Sequence, residues 1–250
     1  MRLVSRESIE NWLQCYGVEN YTINADLSVD VNGDVNIRNK RLSEIPVRFG
    51  VVSGSFFCGL NNLTTLVGCP YEVGENFVCK ENFLESLTGC PVVIGGSFSC
   101  GQNQLTSLVG CPVEVGGSFY CHSNKLTTLL FGPKTVGMDY GCNSNGLISL
   151  EGCPLVIMGS FNCNVNNLHS LVGGPEKVGK NFACGNNNLQ SLLGIPESVG
   201  YKFHCVGNAL FPDMDFEQAK LYIENEKLCK ELVDSSSLVN HSLVMRGKKI

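Results

Sequence analysis

The sequence predicts a repeat solenoid: a parallel β-sheet of short strands along one wall, a mostly irregular opposite side, and a short capping helix at each end. Three observations predict it. Cys58, Cys79, Cys100, Cys121, Cys142, Cys163, Cys184 and Cys205 stand 21 residues apart without a slip, and Ile37 holds the preceding place. Two residues earlier in each unit comes Val35, Phe56, Phe77, Phe98, Phe119, Tyr140, Phe161, Phe182 or Phe203. Three residues after each cysteine comes Asn61, Asn82, Asn103, Asn124, Asn145, Asn166, Asn187 or Asn208, with Lys40 in the first unit. Leucines follow in two further columns, Leu42 to Leu210 and Leu66 to Leu192, so the unit reads Phe-x-Cys-x-x-Asn-x-Leu-x-x-Leu and closes on Gly-Cys-Pro.

The elements follow in chain order. Residues 1–30 read as an N-terminal helix and hairpin cap, because Ile9, Trp12, Leu13 and Tyr16 recur at helical spacing over Ser8–Tyr16. Residues 22–37 then alternate through Leu27, Val29, Val31, Val35 and Ile37, with Asn32-Gly33 supplying hairpin-turn chemistry. Residues 31–212 form about nine coils. In Phe-x-Cys, alternation sends both side chains to one face of a short strand, and repetition in register makes that face the core of a parallel sheet. The stacked asparagines satisfy backbone groups where the strand bends away. Seven prolines from Pro70 to Pro196 fix a turn on the far side, and a 21-residue unit leaves no room for a full helix. Residues 213–250 read as a capping helix and tail: Asp215–Val233 is amphipathic, with Asp215 as N-cap and Phe216, Ala219, Ile223, Leu228 and Leu232 on the buried side. Solenoids need such caps, since a bare terminal coil exposes the core.

Composition excludes several functions. A formal net charge of -5 argues against a nucleic-acid partner, and Arg246, Lys248 and Lys249 form only a three-charge tail. The opening residues lack the apolar run of a signal peptide and no stretch is long enough to span a membrane, so the expected location is the cytoplasm. Fourteen cysteines suggest a disulfide or metal scaffold, but eight are core rungs and no two lie within Cys-x-x-Cys spacing. Cys69, Cys90, Cys111 and Cys153 form a second, partial column in which Gly132, Gly174 and Ile195 also occur, so that column is no ligand set. Free cysteine packs as a small hydrophobe. No cofactor or metal is expected, and no enzymatic activity: His122, His169, His204 and His241 share no motif with an acid, and the glycine-rich turns match no phosphate loop.

With the core columns consumed by packing, recognition falls to the side chains that vary between them. The outward strand positions lie three before, one before and one after each column cysteine. Most are small and polar. Phe57, Val78, Lys80, Tyr120, His122, Asp139, Asn162 and His204 stand out as the expected partner-binding residues on a concave sheet face.

A period of 21 with Leu-x-Leu-x-x-Asn-x-Leu character resembles the leucine-rich repeat, with Phe and Cys in the first two apolar slots. The opening Ile-Glu-Asn-Trp-Leu-x-x-Tyr-Gly-Val-x-Asn-Tyr-Thr-Ile-Asn, then Asp-Val-Asn-Gly-Asp-Val-Asn-Ile and the Gly-Cys-Pro repeats, is similar to uncharacterised leucine-rich-repeat proteins encoded by large tailed bacteriophages. That resemblance implies an accessory protein in the cytoplasm of an infected bacterium, and a protein-binding inhibitor of a bacterial immune protein is the first expectation. The rivals are a structural or self-assembling accessory protein, with the solenoid forming homo-oligomers through an end cap or serving in the virion, and a recognition module of the kind found in secreted effectors.

Overall fold

The computed structural model describes residues 2–211 and 214–228. Over these the chain is a parallel β-solenoid with two short helices, one at each end. Nine two-residue strands, from Val35–Asn36 to Phe203–His204, stack in parallel as one sheet with phenylalanine opposite phenylalanine. Every Phe and Cys of these columns is buried, as the alternation requires. The phenylalanine rings pack coil on coil with centroids 5.1–5.9 Å apart from Phe56 to Phe203. The stack continues into both caps, through Phe49 to Trp12 at one end and from Phe203 to Phe216 at the other.

The asparagine column staples each coil to its predecessor. Asn82 Nδ2 donates to the carbonyl of Cys79 in its own coil at 3.0 Å and to that of Cys58 in the preceding one at 3.1 Å, while Oδ1 accepts from Leu63 N at 2.9 Å. The same pattern recurs through Asn103, Asn124, Asn145, Asn166, Asn187 and Asn208. Each amide thus satisfies backbone groups that the bend would otherwise leave bare.

Opposite the nine-stranded sheet most of each coil is irregular, but a second parallel ladder of two-residue strands also runs there, from Glu72–Val73 through Thr135–Val136. It resumes at Val156–Ile157 as a separate three-stranded sheet. In the column Gly74, Gly95, Gly116, Gly137, Gly179 and Gly200 a Cβ would collide with the carbonyl oxygen of the preceding coil. Met158 takes that place in the coil where the ladder breaks. Before each proline a tight turn closes with the Leu66 carbonyl accepting from Cys69 N at 2.9 Å, and Gly68 at its third position has φ 101°. This is the geometry that requires glycine in a type II turn, and it explains the glycine of Gly-Cys-Pro.

The N-terminal helix, α1 (Arg6–Cys15), begins two residues before the expected start, because the Ser5 hydroxyl accepts from Ser8 N at 3.2 Å as its N-cap. Ile9 and Leu13 are buried beneath it. The hairpin of the cap is formed by Tyr21–Ile23 with Ser28–Val31, not around Asn32-Gly33. The latter is a corner between the two walls: Val31 pairs with Val52, whereas Val35 pairs with Phe56. At the C-terminal end residues 216–228 are helical. Asp215 Oδ1 accepts from Gln218 N and Gln218 Oε1 accepts from Asp215 N, both at 2.9 Å, a reciprocal capping box. Ala219 and Ile223 are buried, but Leu228 is exposed. Leu210 also leaves its column: Phe211 N donates to the Asn208 carbonyl, a turn that buries Phe211 and leaves Leu210 63% exposed. Cys229, Leu232, His241, Arg246, Lys248, Lys249 and the Ser235–Ile250 tail lie outside the described residues. Among those described, no helix is long and apolar enough to cross a membrane.

Candidate binding face

The outer surface of the nine-stranded sheet carries the expected binding residues, and backbone geometry divides them. The position three before each cysteine is not free. Asp34 Oδ1 accepts from Ser55 N at 2.7 Å, Asn76 Oδ1 from Ser97 N at 2.9 Å and Ser97 Oγ from Ser118 N at 3.0 Å. Asp139 Oδ1 accepts from Ser160 N at 2.7 Å. A polar ladder therefore ties each coil to the next, and Ser55 and Ser118 in it are buried. Its signal lies in the sequence: from Asp34 to Asn181 the column holds only Asp, Ser and Asn, the short side chains that can accept from a neighbouring backbone.

In the other two columns, glycines let neighbouring side chains lie down. A Cβ on Gly101 would stand 2.7 Å from Nε2 of His122, and one on Gly141 2.9 Å from Cδ1 of Tyr120. The imidazole thus covers the preceding coil and the phenol ring the following one. The Tyr120 hydroxyl donates to Asp139 Oδ2 at 3.2 Å, so Asp139 orients the ring while its other oxygen serves the ladder. Around Gly141 an open groove of about 400 Å³ results, lined by Tyr120, His122, Asp139, Asn143, Ser160 and Asn162. Burial first, and then the Lys80 ammonium, lower the His122 pKa below its ordinary value, which keeps the imidazole neutral near pH 7.

No family model, curated protein or solved structure matches the chain. The chemistry of this face rests on its own residues.

Four of the eight expected residues, Tyr120, His122, Asp139 and Asn162, meet in the one groove. Phe57 and Val78 are register partners on adjacent strands toward the N-terminus, beside Lys80, whose ammonium lies 3.3 Å from Glu81 Oε1. His204 is exposed on the last strand, in a depression shared with Met214, Phe216 and Gln218 of the C-terminal cap. The groove offers a planar aromatic surface, a neutral imidazole, a carboxylate and side-chain amides. The thiols beneath it, Cys121, Cys142 and Cys163, point into the core, where burial raises them well above the ordinary thiol range and away from thiolate chemistry. Among the described residues, no group of three or more His, Cys, Asp or Glu is placed to hold a metal ion.

Proposed function

We propose that the protein is a non-catalytic binding scaffold that recognises a protein partner through the outer surface of its nine-stranded sheet. The observation that carries this reading is the groove over Gly141, where an oriented tyrosine, a neutral histidine, a carboxylate and amides converge on a hydrogen-bonded ladder. Such a surface is already ordered, so little conformational entropy is lost when a partner docks. Tyrosine supplies contact area with few rotatable bonds, and the amides match the donors and acceptors of peptide groups.

The finer reading rests on the resemblance to phage-encoded repeat proteins: the partner is a bacterial immune protein, bound and blocked in the cytoplasm of the infected cell. Affinity capture from bacterial lysate with the full chain tests both levels. A partner retained by the wild type should bind at least roughly tenfold more weakly to Tyr120→Ala, with the melting temperature nearly unchanged. Phe57→Ala reports whether the N-terminal patch joins the same interface. Undiminished binding by Tyr120→Ala would remove the groove as the recognition site.

A further inference from the structure

The wall opposite the candidate binding face carries exposed apolar side chains from which a lone solenoid gains nothing. Its two outward positions per coil are the pair that follows each proline, and they border a trough of about 860 Å³ floored by the glycine column. Val92 and Val93 occupy these positions in one coil, and Leu155 and Val156 three coils further on; all four are exposed. Val113, between them, is exposed as well. Lys134 and Thr135 occupy the coil between Val113 and Leu155, so the exposed apolar side chains form two groups on one wall, and such groups mark an interaction site.

A second, independent observation lies in the turn that borders the wall. The turn before each proline requires φ near +90°, and Gly68, Gly89, Gly110, Gly152, Gly173 and Gly194 supply it. In one coil Phe131 stands there instead, at φ 66° and 65% exposed. A phenylalanine in the left-handed region is strained relative to glycine, and within the chain its exposed ring gains little in return. The turn takes glycine in six other coils, so the departure at Phe131 alone points to contacts made outside the chain.

The charges identify the other side of those contacts. We propose that a second copy of the chain covers this wall, in a two-fold dimer whose axis runs along the strand direction between the coils of Val113 and Lys134. The pattern is self-complementary about that line. Rotation places Val92 and Val93 on Leu155 and Val156 of the other copy. It sets Glu72 opposite Lys177 and brings Glu114 beside Lys134. It also brings the two copies of Phe131 to coils on either side of the axis, along the turn edge of the interface. Within one chain Glu72 and Lys177 lie five coils apart, roughly 24 Å at the strand spacing, so they cannot pair with each other there. An isologous contact of this kind closes on itself and stops at two copies.

Sedimentation velocity on the full chain over a concentration series tests the proposal without any other partner, so its outcome is separable from that of the binding-face reading. A dimer is expected. Glu72→Lys and Lys177→Glu should each raise its dissociation constant roughly tenfold, since each change spoils two symmetric pairs. The double variant should return it close to the wild-type value, with melting temperatures showing that all three variants fold. Phe131→Gly should weaken the dimer while leaving the dilute monomer at least as stable. A monomer at every concentration, a dimer that neither reversal disturbs, or a double variant that fails to recover overturns the proposal.

Discussion

Val165 is exposed, β-branched and held at φ 57°, a conformation that costs such a residue about 1–2 kcal/mol. Leu60, Glu81, Gln102, Ser123, Ser144 and Asn186 adopt the same conformation at the same corner of other coils. The ladder imposes it, because Leu60 N and Val165 N still reach the next coil's Lys80 and Gly185 carbonyls at 3.0 Å. Asn186 shows the more suitable residue, so Val165→Asn should raise unfolding stability by about 1 kcal/mol in a denaturant titration. A fall would mean that the exposed valine contributes more than its backbone strain costs. Tyr140 poses the opposite problem. It replaces phenylalanine in the ring stack, and its fully buried hydroxyl has no hydrogen-bond partner. The space it occupies adjoins Gly132, where other coils carry cysteine: a Cβ there would lie 3.4 Å from the hydroxyl. Tyr140→Phe removes an unsatisfied polar atom and should stabilise by about 1–3 kcal/mol, whereas an unchanged midpoint would indicate a bound water partner.

At the scale of elements, the asparagine ladder does what the hydrophobic columns cannot. Asn103 Nδ2 donates to the carbonyls of Cys79, Cys100 and Gly101, and Oδ1 accepts from Leu84 N. Truncation in Asn103→Ala leaves several buried backbone groups bare, and a loss of at least about 3 kcal/mol is expected in chemical denaturation. A loss below about 1 kcal/mol would show that water substitutes for the amide. This ladder was legible in the sequence, as were the Phe and Cys columns, because each position admits essentially one residue type and recurs every 21 residues, while the two terminal helices were legible from their helical spacing. The second strand ladder was not. Its outward members run Glu72, Val93, Glu114, Thr135, Val156, Lys177 and Ser198, a column with no common chemistry. Its inward members Val73, Ile94, Val115, Val136, Ile157 and Val178 are buried and β-branched every 21 residues, and that column is the signal by which the ladder could have been found. The left-handed corners carry no such signal, since Leu60 and Val165 have no preference for that conformation. The expected binding residues could be picked out singly. Their division into a groove, an N-terminal patch and a terminal depression depends on which coil carries glycine at 59, 101 and 141, and hence on where a neighbouring ring can lie down.

For the whole molecule, the thiol columns set a limit on alkaline stability. Burial raises Cys79, Cys90, Cys100, Cys121, Cys142, Cys163 and Cys184 above the ordinary thiol range. Above the ordinary pKa of about 8.5 the unfolded chain has released protons that the folded chain still holds. Stability is therefore complete below that pH and falls as pH rises, each such thiol adding up to about 1.4 kcal/mol per pH unit. Melting temperatures measured under reductant should drop steeply between pH 8.5 and 10, and Cys100→Val should make the slope shallower. A flat profile would mean that the columns ionise in place.

The ring stack that runs from α1 to the C-terminal helix gives the molecule ends that can be told apart by light. Trp12 is the sole tryptophan, set 6.3 Å from Phe49 and 4.4 Å from Tyr16 at the first coil. In an array where each coil touches only its neighbours, melting can begin at either end and advance as a front. Indole emission therefore reports the N-terminal boundary of that front alone, while backbone dichroism integrates over every coil. The separation of the two signals measures the length over which the coils melt together.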